Sequence, residues 1–84
     1  MSTQAVYTLF GRRDCELCDR AEALFLEVAD LRAVSLNKVD IDHDRELHQR
    51  YALAIPVLRR DADNSELFWP FPRSRLRDFL AAGT

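Results

Sequence analysis

Glycine and cysteine are both scarce in this 84-residue chain, with two of each. So little glycine, beside five phenylalanines, argues against long disordered stretches. Net charge is nearly absent as well: 12 basic against 14 acidic residues leave a formal charge of -2. No global field therefore draws the chain to nucleic acid or to an anionic membrane. No apolar run approaches the ~20 residues of a membrane-spanning helix. The opening Met1-Ser2-Thr3-Gln4 has neither a basic n-region nor an apolar h-region behind it, so no secretory signal is expected and the reading is a cytoplasmic protein. Internal repeats, linkers and composition breaks are also missing, which predicts residues 1–84 as a single domain with its core over about 5–82. A chain of this length supports one modest core and a small net stability. What remains, 48% hydrophobic and 31% charged residues, is the composition of an ordinary soluble globule. A monomer is the expected state.

The two cysteines stand together, in Cys15-Glu16-Leu17-Cys18. In a reducing compartment such a pair points to catalysis or metal binding rather than to a structural staple. A bridge across so short a loop would also restrain the unfolded chain very little. The local context adds to this. An apolar run, Val6-Tyr7-Thr8-Leu9-Phe10, is followed by the polar turn Gly11-Arg12-Arg13-Asp14. Beyond the pair, Leu17, Ala21, Leu24, Phe25 and Val28 recur at helical spacing. The cysteines thus fall where a strand hands over to a helix N-terminus, whose free N–H groups and dipole stabilise a thiolate. Cys15 is expected at the exposed tip and Cys18 one turn in, more enclosed. Arg12 and Arg13 upstream favour the thiolate, whereas Asp14 and Glu16 oppose it. The net expectation is a lowered thiol pKa and a reductase-like potential.

Taken in order, residues 5–10 read as a buried strand and 15–29 as a helix, with Glu16 and Arg20 as a supporting i,i+4 pair. Residues 34–39 read as a partly exposed edge strand. Asp42 is the expected N-cap of a short helix over 43–51, with Asp44 in its first turn. Pro56 opens the next strand, 56–59. The cluster of Asp61, Asp63 and Asn64 predicts a hairpin to a strand over 65–69, with Arg59 and Arg60 exposed at the turn. Pro72 suits the first turn of a last helix that buries Leu76, Phe79 and Leu80 and shows Arg73, Arg75 and Arg77 to water. Gly83 suits its C-terminus. The order β-α-β-α-β-β-α implies an α/β fold: a right-handed parallel β-α-β unit, then a hairpin and a covering helix.

The Cys-x-x-Cys after a strand, this element order and the proline of Ile55-Pro56-Val57 together resemble the thioredoxin fold. Thr8-Leu9-Phe10, Val39-Asp40-Ile41-Asp42, Ile55-Pro56-Val57-Leu58 and the segment from Leu67 to Pro72 extend the resemblance to the small bacterial glutaredoxin-like proteins, over roughly residues 5–81. The resemblance implies a thioredoxin-like four-stranded mixed sheet with helices on both faces. It implies a thiol–disulfide oxidoreductase acting on protein or glutathione mixed disulfides. Cys15 would be the nucleophile and Cys18 the resolving thiol. Pro56 would be cis beside them, with the backbone of Ile55 pairing to a substrate peptide or to glutathione. No cofactor is expected to be bound, with glutathione serving as reducing co-substrate. Glu16 and Leu17, inside the motif, and Arg73 and Ser74, at the last helix, join Arg12 and Arg13 as expected substrate contacts, the last helix meeting a carboxylate.

Three alternatives accompany this reading. The motif interior is Glu16-Leu17 where glutaredoxins usually have Pro-Tyr, and Trp69-Pro70-Phe71-Pro72 stands where they usually have a glycine pair. A protein-binding module that keeps the fold without turnover follows from those departures. A structural zinc site normally takes four ligands, and only His43 and His48 are there to join the cysteines, so no metal site is expected. An iron–sulfur cluster shared between two chains is the remaining possibility. The histidines themselves read as solvated residues at the other end of the fold. Trp69 and Phe71 read either as a seal on the core beneath the last helix or as lining of the groove by Cys15.

Overall fold

The computed structural model describes residues 4–83. Strand β1, Ala5–Gly11, runs through the middle of a four-stranded sheet of order β2-β1-β3-β4. Helix α1 spans Glu16–Val28, β2 Val34–Asp40, α2 Arg45–Tyr51, β3 Val57–Arg60, β4 Ser65–Phe68 and α3 Arg73–Ala82; a 3-10 turn, Ile41–His43, joins β2 to α2. Strand β2 lies parallel to β1, whereas β3 is antiparallel to both β1 and β4. This is a thioredoxin-like fold, with the expected element order and with β2 on an edge.

The near-continuous apolar run of β1 follows from its central place, because a strand covered on both faces alternates between two cores. Tyr7 and Leu9 enter one cluster with Ala21 and Phe25 of α1, Leu76 and Leu80 of α3, and Leu58, Leu67 and Phe71. Phe10 enters the other, with Ile41, Tyr51 and Val57, beneath α2. Its ring stacks on Tyr51 with centroids 4.5 Å apart. The Tyr51 hydroxyl donates to the Glu66 carboxylate on β4, and burial, more than this bond, raises its pKa. Phe71 is buried and Trp69 packs edge-on against it, so the pair joins the core cluster that includes Leu76 and Leu80 of the last helix.

Three local expectations need correction. Asp42 caps no helix: Asp44 accepts from Leu47 N–H at the start of α2, and Asp40 accepts from Asp42 N–H at the start of the 3-10 turn. The sequence offers three acidic residues at alternate positions there, and the extra turn shifts the cap by two. Leu17 is 44% exposed and leaves the buried stripe of α1, because the first turn projects beyond the sheet; Cys18 takes its place. Arg60 is not a solvated turn residue. Its side chain is 11% exposed, donates to the Phe79 carbonyl at 2.7 Å, lies 4.6 Å over the Phe79 ring and pairs with Asp63. A long cation can cover apolar surface with its stem while its head finds partners, so charge alone did not place it outside.

Arg60 thereby ties the β3–β4 hairpin to the end of α3. Arg60→Ala should lower unfolding stability by about 1.5–3 kcal/mol, the usual range for charged hydrogen bonds, read as a urea midpoint. The Asp63 carboxyl is held down to about 2 from an ordinary 3.8 by its hydrogen bond to Arg60 and by Ser65 N–H. A depressed folded pKa gives stability that is present above the ordinary value and is lost as pH falls from about 4 to about 2. Asp63→Asn should flatten the pH dependence of the urea midpoint in that window; an unchanged acid slope would show the pair to be idle.

Candidate functional site

Strand β1 ends at Gly11, and the loop of Arg12, Arg13 and Asp14 turns the chain into α1. Asp14 adopts φ 54°, a left-handed conformation that a short polar side chain tolerates. Cys15 is the N-cap of α1 rather than its first helical residue, and its Sγ accepts from Cys18 N–H at 3.2 Å. That bond is the thiol counterpart of an oxygen cap and occupies an otherwise open N–H of the first turn. Cys15 is half-buried, whereas Cys18 is only 7% exposed. The two are joined as a disulfide, with Cα atoms 5.2 Å apart.

Gly11 was read merely as part of the turn, yet it decides how closely Cys18 can approach β1. A Cβ at position 11 would lie 2.9 Å from Cys18 Sγ and 3.2 Å from its Cβ. The signal in the sequence was faint: one of only two glycines, placed between a strand and the motif. Pro56 is buried just before β3, and the Ile55–Pro56 bond is cis, as the resemblance implied. Ile55 and Ala54 are half-buried in the loop leading to it, while Leu53 is fully exposed.

The cations are distributed in a way that sequence spacing did not reveal. Arg12 is held by Asp42 through two hydrogen bonds, of 2.7 and 3.2 Å, which raise the guanidinium pKa and lower that of the carboxyl. Its charge is thus shared before it reaches Cys15. Arg13 is exposed and has no ion pair among the described residues. Glu16 pairs with Arg20 at 2.9 Å, as its spacing predicted. Arg73 opens α3 but pairs with Glu27 of α1 at 2.7 Å, and Ser74 beside it is exposed. The histidines are not at the other end of the fold. His48 lies 3.6 Å from Asp42, which holds Arg12, and His43 lies 3.7 Å from Asp40. The 3-10 turn carries this acidic segment toward the loop before Cys15. Among the described residues no cluster of three or more His, Cys, Asp or Glu side chains is arranged to hold a metal ion.

A cleft of about 330 Å³ opens beside the pair, lined by Leu9 and Gly11 of β1, the loop residues Arg12, Arg13 and Asp14, Cys18 with Asp19 and Glu22 of α1, and Lys38, Val39 and Asp40 of β2. Lys38 and Glu22 meet across it at 3.1 Å.

Fold and site together define a thioredoxin-like protein with a disulfide-forming Cys-x-x-Cys pair at a helix N-terminus. The chain belongs to the glutaredoxin-like family (DUF836), whose model matches residues 7–81. It is similar to the target protein XcR50 from X. campestris. The X-ray structure of that protein shares 42% identity at a TM-score of 0.80, covering 93% of this chain and 99% of the other. Its solution structure shares 41% at a TM-score of 0.80, covering 96% and 97%. Among curated proteins, none matches the chain. Among the described residues no helix is long and apolar enough to cross a membrane.

Gly11→Ala should cost roughly 1–3 kcal/mol, the usual range for overpacking a filled site. The loss should be read from urea unfolding of both the oxidised and the reduced protein. A substitution without effect in either state would mean that the contact with Cys18 is readily relieved.

Proposed function

We propose that this protein is a thiol–disulfide oxidoreductase in which Cys15 attacks and Cys18 resolves. The observation that carries the reading is the pairing of a half-buried Cys15 at the N-cap of α1 with a Cys18 sheltered one turn behind it. A thiolate at Cys15 is favoured by the helix N-terminus, by Cys18 N–H at 3.2 Å and by the exposed Arg13, which has no ion pair among the described residues. It attacks one sulfur of a protein or glutathione mixed disulfide, forming a new sulfur–sulfur bond as the other sulfur leaves as a thiolate. Cys18, deprotonated, then attacks the Cys15 sulfur, closes the internal disulfide and expels the bound half.

Pro56, before β3, bounds the side on which the substrate lies. The Ile55 backbone pairs with an extended segment of it, and Leu17, Ala54 and the exposed Leu53 supply apolar contact. Glu16 flanks Cys15, Arg73 and Ser74 open α3 with Arg73 held by Glu27 in the last turn of α1, and Arg12 braces the loop through Asp42. No cofactor is bound in this scheme. Glutathione serves as a reducing co-substrate, and the protein works as a cytoplasmic monomer.

Cys15→Ser should abolish turnover of a model disulfide. Cys18→Ser should still complete the first attack and accumulate the mixed disulfide, visible by mass spectrometry. Equal activity of parent and both variants would refute the assignment. The redox midpoint should be reductase-like; a value near the about -120 mV of strong oxidants would contradict it.

A further inference from the structure

Strands β1 and β2 leave the sheet together. Gly11, the last residue of β1, stands in register with Asp40, the last of β2. The residues that follow are therefore delivered to one edge: Arg12 from the loop before Cys15, and Asp42 from the 3-10 turn. Asp42 is not a loosely hung surface acid. Ile41 beside it is completely buried, and the Asp40 carboxylate accepts from Asp42 N–H at 2.9 Å. On this fixed carboxylate Arg12 places its two hydrogen bonds, a geometry for which guanidinium and carboxylate are matched. The pair straps the loop that carries Cys15 to a segment 30 positions away.

Arg12 is three residues ahead of Cys15, so the two backbones lie within about 10 Å of each other. A guanidinium left free at that range favours the Cys15 thiolate, as cations beside a cysteine do. Bound to Asp42, it presents a nearly neutral pair instead. The other charged groups nearby leave this pairing in place. Arg13, Asp14 and Asp19 have no ion pair among the described residues, and Glu16 answers Arg20. His43 stands 3.7 Å from Asp40. His48 of α2 lies 3.6 Å from Asp42 Oδ1, the oxygen that Arg12 Nη2 already reaches at 2.7 Å. Arg12 is the nearer partner.

We propose that Asp42 is a positioning residue for the chemistry at Cys15: by holding Arg12 it withholds a cation from the sulfur and keeps the couple reducing. The proposal rests on the oxidoreductase reading and names what sets its potential. A more stable thiolate favours the dithiol over the disulfide and raises the midpoint, as in strong oxidants. Two arginines directly ahead of the motif push in that direction. Asp42 takes one of them out and leaves Arg13. Both side chains of the pair stay partly open to water, so the pair adds little to stability while still shaping the field at the sulfur.

Asp42→Asn should favour the dithiol about threefold against a dithiothreitol redox buffer, roughly 14 mV upward, the size of effect that one unit charge within about 10 Å supplies. In the reduced protein, the pH profile of Cys15 alkylation by iodoacetamide should move to lower pH. Arg12→Gln should shift both readings the other way, and the double variant should return them to the parent values. Asp42→Glu keeps the carboxylate and should match the parent, and about 1 M salt should erase the Asp42→Asn shift. A bracing role alone predicts weaker unfolding stability with midpoint and alkylation profile unmoved. That result overturns the proposal, as does a double variant displaced as far as Asp42→Asn. Failure of the parent protein to cycle between dithiol and disulfide in the same buffer would instead count against the oxidoreductase reading itself.

Discussion

The structure depends on the docking of α1 across the end of β1. Ala21 and Phe25 bury against Tyr7 and Leu9, and this contact fixes both the height and the rotation of the helix over the strand. The rest follows from that placement. The first turn of α1 overhangs the sheet, so Cys15 becomes a cap instead of a core residue. One turn further in, Cys18 falls onto Gly11. A bulkier residue at 11 would lift the first turn, while a weaker Phe25 contact would leave it unanchored. The reactive geometry is thus set by packing one to two turns further along α1 than the sulfurs.

The opposite face steadies the proline loop. Phe10, on the α2 side of the same strand, stacks on Tyr51, whose hydroxyl reaches Glu66 on β4. Tyr51 is the last residue of α2, and the loop that follows leads directly to Pro56. Arg50 lies 5.2 Å over the Tyr51 ring, and Arg59 lies 5.0 Å over that of Phe10. Each ring of the stack therefore has a guanidinium over it, an arrangement that aromatic faces favour. A single central strand thus supports the cysteines through one face and the proline loop through the other.

Much of this was legible in the residues. The buried strand, the helical stripe with Phe25, the acidic hairpin turn and the Leu76–Leu80 stripe all carry short-range periodicities that dictate local structure. The Cys-x-x-Cys and Pro56 are legible because their chemistry demands particular residue types. What escaped depends on distances between segments far apart in sequence. Nothing near Arg60 announces the Phe79 carbonyl, and nothing near Arg12 announces Asp42, 30 positions away. Gly11 looked like a turn residue because the reason for its small size lies on another element. Asp42 and Asp44 could not be ranked as caps without knowing that a 3-10 turn comes first.

The long-range pairs also explain why a pair flanked by arginines need not behave as an anion trap. Arg12 is spent on Asp42 and Arg73 on Glu27, and Arg20 answers Glu16 within α1. Exposed pairs of this kind add little stability, but those of Arg12 and Arg20 remove free cations from the surroundings of the sulfurs. Arg13 is left over, set among Asp14, Asp19 and Asp40. That leaves more carboxylate than cation around the pair, so the helix N-terminus is what favours a thiolate there. It acts more on Cys15, at the cap, than on Cys18 at the end of the first turn, because stabilisation by a helix end fades over that turn. Two sulfurs three residues apart are in this way made unequal, one half-buried at the helix cap and the other sheltered against Gly11.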